Sequence, residues 1–328
     1  MKDAEGVHFL QWCLPKLGLI WPGYRKVRRQ VYKRIQRRLE SLSPSTLADY
    51  QRYLETHPEE WIVLDSLCWI SISRFYRDKA VFEFLEQEVL PSLARQVLTQ
   101  GESVLRCWSI GCAGGEEPYS LALLWKLKLQ TRFPAVRLVI LATDIDEQAV
   151  ARAQRGCYPP SSLRDLPESW RVQGFDHRAE GFCIKPEFRE PVTFLVQDIR
   201  QAAPVELFHL ILCRYMAFTY FDAPLQNDTL WRFVERTQVG GGLVVGKDER
   251  LPHGEFGLIP WSEKEGVYRR TRPVPAGPER ASRGTVISTP GTGPASTPYK
   301  MTACGRKPAA LRAGPVGARL PLSPRSQE

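Results

Sequence analysis

Val27, Val31, Ile35 and Leu39 recur every fourth residue within the stretch 24–40, a spacing that lines one face of a helix with apolar side chains. The same rhythm returns at Leu47, Tyr50, Tyr53 and Leu54, after the helix-start signal Ser43-Pro44-Ser45-Thr46. It returns once more at Trp61, Leu64, Leu67 and Cys68, after His57-Pro58-Glu59-Glu60. Residues 80–99 are again helical, and no strand pattern precedes residue 100. From residue 103 short apolar runs at 104–110, 137–142, 192–196, 208–212 and 242–245 alternate with helical segments at 118–128, 147–155 and 224–236. Strands separated by helices predict an α/β fold, with a doubly wound, mostly parallel sheet covered on both faces. The alternation breaks between Tyr158 and Pro191, where the run from Gly181 to Arg189 suits a small antiparallel insert. The last strand is expected at residues 266–270. The predicted organisation is an all-helical N-terminal domain over 1–70, an α/β domain over 71–270 with its insert at about 159–191, and a tail over 271–328.

Charge sharpens this division. The 328 residues carry 45 Lys+Arg and 36 Asp+Glu, a net +9. Residues 273–328 hold eight Lys/Arg, two Asp/Glu, ten prolines and seven glycines, a composition expected to form a disordered basic tail. Residues 24–40 hold eight Lys/Arg and one Glu, so the face opposite the apolar stripe is cationic and suited to an acidic partner. Removing +6 and +7 from +9 leaves −4 for the rest, which argues against a nucleic-acid-binding surface. No apolar run reaches the roughly 20 residues of a membrane span, and the N-terminus lacks a signal-peptide apolar region. The eight cysteines form no CxxC pair and several sit in apolar runs, so buried thiols in the cytoplasm are expected rather than a disulfide framework. The five histidines are scattered, so no metal site is expected.

In an open α/β sheet, ligands lie beyond the carboxyl ends of the strands. After the first strand comes Ser109-Ile110-Gly111-Cys112-Ala113-Gly114-Gly115-Glu116-Glu117-Pro118. The glycines allow close backbone approach to a ligand, and Pro118 suits a first helical turn. Asp144 follows the second strand, Asp198 the third and Arg214 the fourth. A dinucleotide site needs G-x-G-x-x-G and a helix start open to a pyrophosphate. Here the spacing is G-x-x-G-G, and two glutamates follow. They would repel a pyrophosphate but suit a cofactor carrying an amino group and a sulfonium. An acid after the second strand can accept from two ribose hydroxyls, and one after the third can reach an adenine amino group. Glu117, Asp144 and Asp198 in that order point to S-adenosylmethionine, leaving as S-adenosylhomocysteine.

The chain also resembles a known family. The stretches S-I-S-R-F-Y-R-D (71–78), W-S-I-G-C-A-G-G-E-E-P-Y-S-L-A (108–122), A-T-D-I-D-E-Q-A-V-A-R-A-Q-R-G-C-Y (142–158), I-L-C-R-Y-M-A-F-T-Y-F-D (211–222) and G-G-G-L-V-V-G-K-D-E (240–249) are similar, in order, to those of the CheR-type methyltransferases. The resemblance covers roughly residues 8–270. It implies transfer of a methyl group from S-adenosylmethionine to glutamate side chains of chemotaxis receptors, giving methyl esters. It further implies that Ser73 and Arg77, with Ser71 nearby, face the cofactor and the transfer centre. By the same carry-over Glu117 holds the methionyl end, Asp144 the ribose and the Asp198-Ile199 pair the adenine. Arg214 and Tyr215 would contact the cofactor, and Tyr220 would lie near the transferred methyl. Tyr215 stands where the family has Asn, Ser73 where it has Thr, and Gly246-Lys247-Asp248-Glu249 where it has G-H-S-E. The expected catalytic residues are Arg77, which can hold a carboxylate by its planar fork, and Tyr220. The expected partner is a Glu-rich receptor or signalling helix docking on residues 24–40. The alternative is a cofactor-binding pseudoenzyme or signalling adaptor of the same fold, which the Tyr215 exchange favours.

Overall fold

The run Val104–Ile110 is buried almost throughout and forms the central strand, β1. The remaining strands are β2 (Arg137–Asp144), β3 (Cys157–Tyr158), β4 (Phe175–Arg178), β5 (Gly181–Ile184), β6 (Val192–Val196), β7 (Phe208–Cys213), β8 (Thr237–Val245), β9 (Leu258–Ser262) and β10 (Val267–Arg270). These come from a computed structural model that describes residues 3–42, 44 and 46–272. The expected tail lies outside the described residues except for Thr271 and Arg272, and so does Cys304.

The main sheet has the order β6-β2-β1-β7-β8-β10-β9. Its first five strands are parallel, and β10 pairs antiparallel with both β8 and β9. The chain builds outward from β1 through β2 to β6, then restarts on the other side at β7. The strand order therefore reverses at β1 and β7, which opens a crevice at their carboxyl ends. The doubly wound, mostly parallel sheet follows the expectation. β9 was not foreseen. It carries Pro260 and is mostly half-buried or exposed, and proline is tolerated there because β9 is an edge strand.

Five helices come first: α1 (Asp3–Cys13), α2 (Trp21–Tyr24), α3 (Arg28–Glu40), α4 (Leu47–Thr56) and α5 (Glu60–Leu67). Leu10, Val31, Ile35, Tyr50, Leu54 and Leu64 are buried in one apolar cluster with Trp108, Ile211 and Phe233. The N-terminal helices thus close one face of the sheet rather than forming a core of their own. The opposite face is covered by α6 (Lys79–Phe84), α7 (Leu90–Thr99) and α8 (Glu116–Leu124). The helices α9 (Glu147–Arg155), α10 (Glu168–Gly174), α11 (Pro186–Arg189), α12 (Ala217–Tyr220) and α13 (Ala223–Arg236) follow among the described residues.

The insert is a three-stranded antiparallel sheet of order β3-β5-β4. The Tyr158 hydroxyl donates to the carbonyl of Gly114 at 2.7 Å, tying the insert to the loop after β1. Cys157 and Cys183 lie opposite each other in the β3–β5 register and form a disulfide. The expectation of thiols is corrected for this pair, because strand pairing, invisible in a spacing of 26 residues, brings their Cα atoms to 3.9 Å. Cys13, Cys68, Cys107, Cys112 and Cys213 are buried free thiols.

Glu60 fastens three of the N-terminal helices. Arg38 donates to its carboxylate from Nε and Nη2 at 2.9 and 2.7 Å, and the Tyr50 hydroxyl donates at 2.7 Å. Burial pushes this carboxyl up, but those hydrogen bonds outweigh it and hold Glu60 below the usual glutamate range. Its contribution to stability is therefore present above the unfolded value and is lost as pH falls through the folded one. Glu60→Gln should lower unfolding stability at neutral pH by about 1–3 kcal/mol. A denaturant midpoint equal to that of the wild type would show that Glu60 is not the tie.

Candidate functional site

A cleft of about 820 Å³, measured to its open mouth, lies at the carboxyl ends of β1, β2, β6 and β7. Ser71, Asp144, Asp198, Ile199 and Tyr220 line it. A smaller polar recess adjoins it, lined by Ser73, Arg77 and Glu117. Arg214, Tyr215, Ile72 and Gly111 border both. All ten residues expected at the site thus converge on one continuous crevice.

Asp144 ends β2, and its Oδ2 accepts the Ala113 N–H at 2.8 Å while Oδ1 accepts that of Asp146 at 2.9 Å. Burial raises its carboxyl above the usual range, against the lowering pull of those two N–H groups. Asp146 caps α9 by accepting the N–H groups of Gln148 and Ala149, and Ser71 donates to it at 3.5 Å. Glu117 accepts from the Ser109 hydroxyl at 2.8 Å and from Arg214 at 3.2 Å.

The two glutamates at the start of α8 part company. Glu117 faces the recess, whereas Glu116 turns inward and is buried. Its Oε2 has no hydrogen-bond partner, and burial raises its carboxyl while Ser73 hydrogen-bonds to it. Adjacent helical residues diverge by about 100°, so only Glu117, the one expected at the site, faces the ligand side. Asp198 also departs from the simple picture. Arg200 donates to it from its backbone N–H and its Nε, and Gln201 donates from its amide. The other end of Arg200 grips Asp65 at 2.9 and 2.7 Å. Asp198 borders the cleft, but its oxygens are largely committed to this clamp.

Around the recess, Arg214 is the buried cation. It donates to Asp78 at 2.6 Å, to Glu117 at 3.2 Å and to the Arg77 carbonyl at 2.9 Å. Tyr215 follows in a left-handed conformation, φ 55°. Its N–H donates to Glu249 at 2.9 Å, and Glu249 also accepts from Thr219 and the Gly246 N–H. Tyr220 packs against Tyr24, with ring centroids 5.0 Å apart. Burial pushes its phenol up to about 12, so it stays a donor at neutral pH.

Residues 71–263 match the CheR methyltransferase S-adenosylmethionine-binding domain. The chain is 30% identical over 260 residues to a chemotaxis protein methyltransferase of Listeria monocytogenes, covering 78% of this chain and 94% of the relative. A chemotaxis protein methyltransferase of Escherichia coli is 28% identical, covering 78% of this chain and 87% of its own. The second chemotaxis protein methyltransferase of Vibrio cholerae is also 28% identical, with 76% and 87% covered. The chain belongs to the CheR methyltransferase family. It carries that family's cofactor-binding domain, so S-adenosylmethionine stands as its cofactor.

In this CheR protein, sequence reasoning missed Asp65, Asp78, Arg200 and Glu249 as supporting residues. Asp78 followed directly on Arg77, and Glu249 lay in the G-K-D-E stretch, so both signals were present. Asp65 and Arg200 are 135 residues apart, and no local pattern links them. Arg200→Ala would leave Asp65 and Asp198, with side chains only 14% and 13% exposed, facing each other without a cation. The expected cost is roughly 2–4 kcal/mol in unfolding, below that of a fully buried pair because some solvent remains. A variant as stable as the wild type would remove Arg200 as the link between the N-terminal helices and the sheet.

Proposed function

We propose that the protein is a cytoplasmic S-adenosylmethionine-dependent O-methyltransferase that esterifies glutamate side chains of a chemoreceptor-like protein. The observation that carries this reading is the recess itself, where Arg77 stands beside Glu117 and the mouth of the cofactor cleft. The residues present fit the cofactor. Gly111 borders both cavities with φ +67°, and a Cβ there would lie 3.1 Å from Met216, so the backbone stays bare where a ligand must approach. Glu117 and Asp144 offer carboxylates to an amino group and to ribose hydroxyls. Ser71, Ile199 and the Asp198 rim would border the rest of the ligand.

When bound, the cofactor supplies a methyl group on a sulfonium. The protein's own task is to present the acceptor. A glutamate with a pKa near 4.3 is ionised at neutral pH, so no general base is required. Arg77 orients the acceptor carboxylate through its N–H fork. Tyr220, kept protonated by burial, donates beside it and helps exclude water. A lysine acceptor would need prior deprotonation and would meet Arg77 as a like charge.

The basic helix supplies a docking face for an acidic receptor helix, through fewer residues than its composition suggests. Arg28 pairs with Asp3, Arg38 with Glu60, and Arg34 donates to the carbonyls of Leu67 and Trp69. Arg29, Lys33 and Arg37, four apart, are exposed and form a single ridge. Such a ridge acts mainly on association rate and register.

Two outcomes are expected. Arg77→Ala should lower methyl-ester formation by about a hundredfold or more while S-adenosylhomocysteine binding, read by calorimetry, changes by less than about fivefold; near-normal turnover would remove Arg77 from the chemistry. Charge reversal at Arg29, Lys33 and Arg37 should slow receptor methylation at low salt and leave cofactor affinity alone. An unchanged rate would place the docking face elsewhere.

A further inference from the structure

We infer that Tyr215 is a positioning residue for Arg77: its ring is the platform that holds the guanidinium flat, with the N–H edge turned free for an acceptor carboxylate. This rests on the methyltransferase reading above and adds how the acceptor-binding group is held. The Arg77 guanidinium carbon lies 3.9 Å from the Tyr215 ring centroid. A guanidinium stacked this way gains from the ring's electron-rich face and keeps its donors in plane.

The ring is fixed at its hydroxyl, at its backbone and along one edge. Its hydroxyl donates to Asp78 at 2.7 Å and its backbone N–H to Glu249 at 2.9 Å. A Cβ at Gly246 would stand 2.8 Å from two ring carbons of Tyr215, so glycine makes the room the ring occupies. The left-handed backbone at Tyr215 suits Asn far better than Tyr. A bulky residue persists there because the surrounding contacts over-determine it.

The charges nearby leave Arg77 available. Asp78 and Glu117 are both engaged by Arg214, and Asp78 also accepts from Tyr215. Among the described residues no carboxylate pairs with Arg77; its side chain donates to the Ile72 carbonyl at 3.2 Å. The phenol thus does two things at once. It carries Arg77 on its face, and with its hydroxyl it helps occupy the acid next door. The product is an unneutralised, pre-oriented fork matched to a planar carboxylate.

The test compares Tyr215→Phe, Tyr215→Leu, Tyr215→Asn and Gly246→Ala in the full chain. The acceptor is a purified bacterial chemoreceptor cytoplasmic fragment and the donor is tritiated S-adenosylmethionine. Tyr215→Phe keeps the ring and should hold the KM for the fragment within about threefold, whereas the other three should raise it about tenfold or more. The Kd for S-adenosylhomocysteine should move less than that KM in every variant. Equal KM for Tyr215→Leu and wild type, or Tyr215→Phe falling as far as Tyr215→Leu, would overturn the platform. Modification of Arg77 by phenylglyoxal, followed by mass spectrometry without donor or acceptor, reads the stack independently of turnover. Tyr215→Leu should react several-fold faster and Tyr215→Phe like wild type; equal rates in all three overturn the stack even in an active enzyme. A wild type that binds S-adenosylhomocysteine but esterifies no fragment, with Arg77 still protected, would instead sink the acceptor assignment on which the inference stands.

Discussion

Arg214 is a guanidinium with 3% of its side chain exposed, and a charge so placed needs carboxylates around it. It has two, Asp78 and Glu117, and a third acceptor in the Arg77 carbonyl. With Arg214 itself they join three separate pieces of chain: the segment entering α6, the start of α8, and the end of β7. Removing either acid would leave a buried cation poorly compensated, an error that costs several kcal/mol. The wall of the recess is therefore held together by electrostatic necessity. Glu117 is fixed by it, Asp78 is consumed by it, and Arg77 is left as the cation without an acid.

How much of this was legible follows from the range of each interaction. The strand at Val104–Ile110 was readable because burial on a sheet imposes a local apolar pattern, whereas Val192–Val196, an edge strand of half-buried and exposed positions, was readable from its apolar and β-branched run alone. So was the convergence of Glu117, Asp144 and Arg214, since a parallel sheet brings every carboxyl-end loop to one rim, whereas Ser71, ahead of the first strand, was placed by the resemblance alone. β9 was not, because an edge strand with Pro260 and exposed positions has no such pattern. The inward turn of Glu116, the Cys157–Cys183 pairing and the Asp65–Arg200–Asp198 clamp depend on contacts between distant segments. Two adjacent glutamates look alike in a sequence, and only packing decides which of them meets solvent.

Charge counting had the same limit. The stretch 24–40 reads as a uniformly cationic helix, yet Arg28, Arg34 and Arg38 are drawn into the protein's own acids and carbonyls. Arginine serves this double use well, because its fork bonds inward while its stem covers apolar surface. Of the eight basic residues in that stretch, Arg25, Lys26, Arg29, Lys33 and Arg37 stay exposed. Net charge therefore overstates the surface on offer, and the helix is part of the fold before it is part of an interface.

The carboxylates divide by the sign of their shifts. Glu60, gripped by Arg38 and Tyr50, is held low and stabilises the fold down to acid pH. Asp144, Glu116 and Glu249 are raised by burial. For them the folded state prefers the proton, so at neutral pH ionisation opposes folding, and the opposition eases as pH falls through their folded values. Glu249 and Asp144 offset part of this with backbone N–H donors. Glu116 likewise has backbone N–H donors, besides Ser73, yet one of its oxygens is unpartnered. The strained acids gather within and behind the crevice, whereas the satisfied one lies in the N-terminal scaffold. A fold selected for stability alone would avoid buried acids at a strand end, a helix start and the floor of a loop. Of the three, Asp144 lines the cleft, and a buried carboxylate at that strand end is the expected mark of a site where a ligand's polar groups complete its bonding.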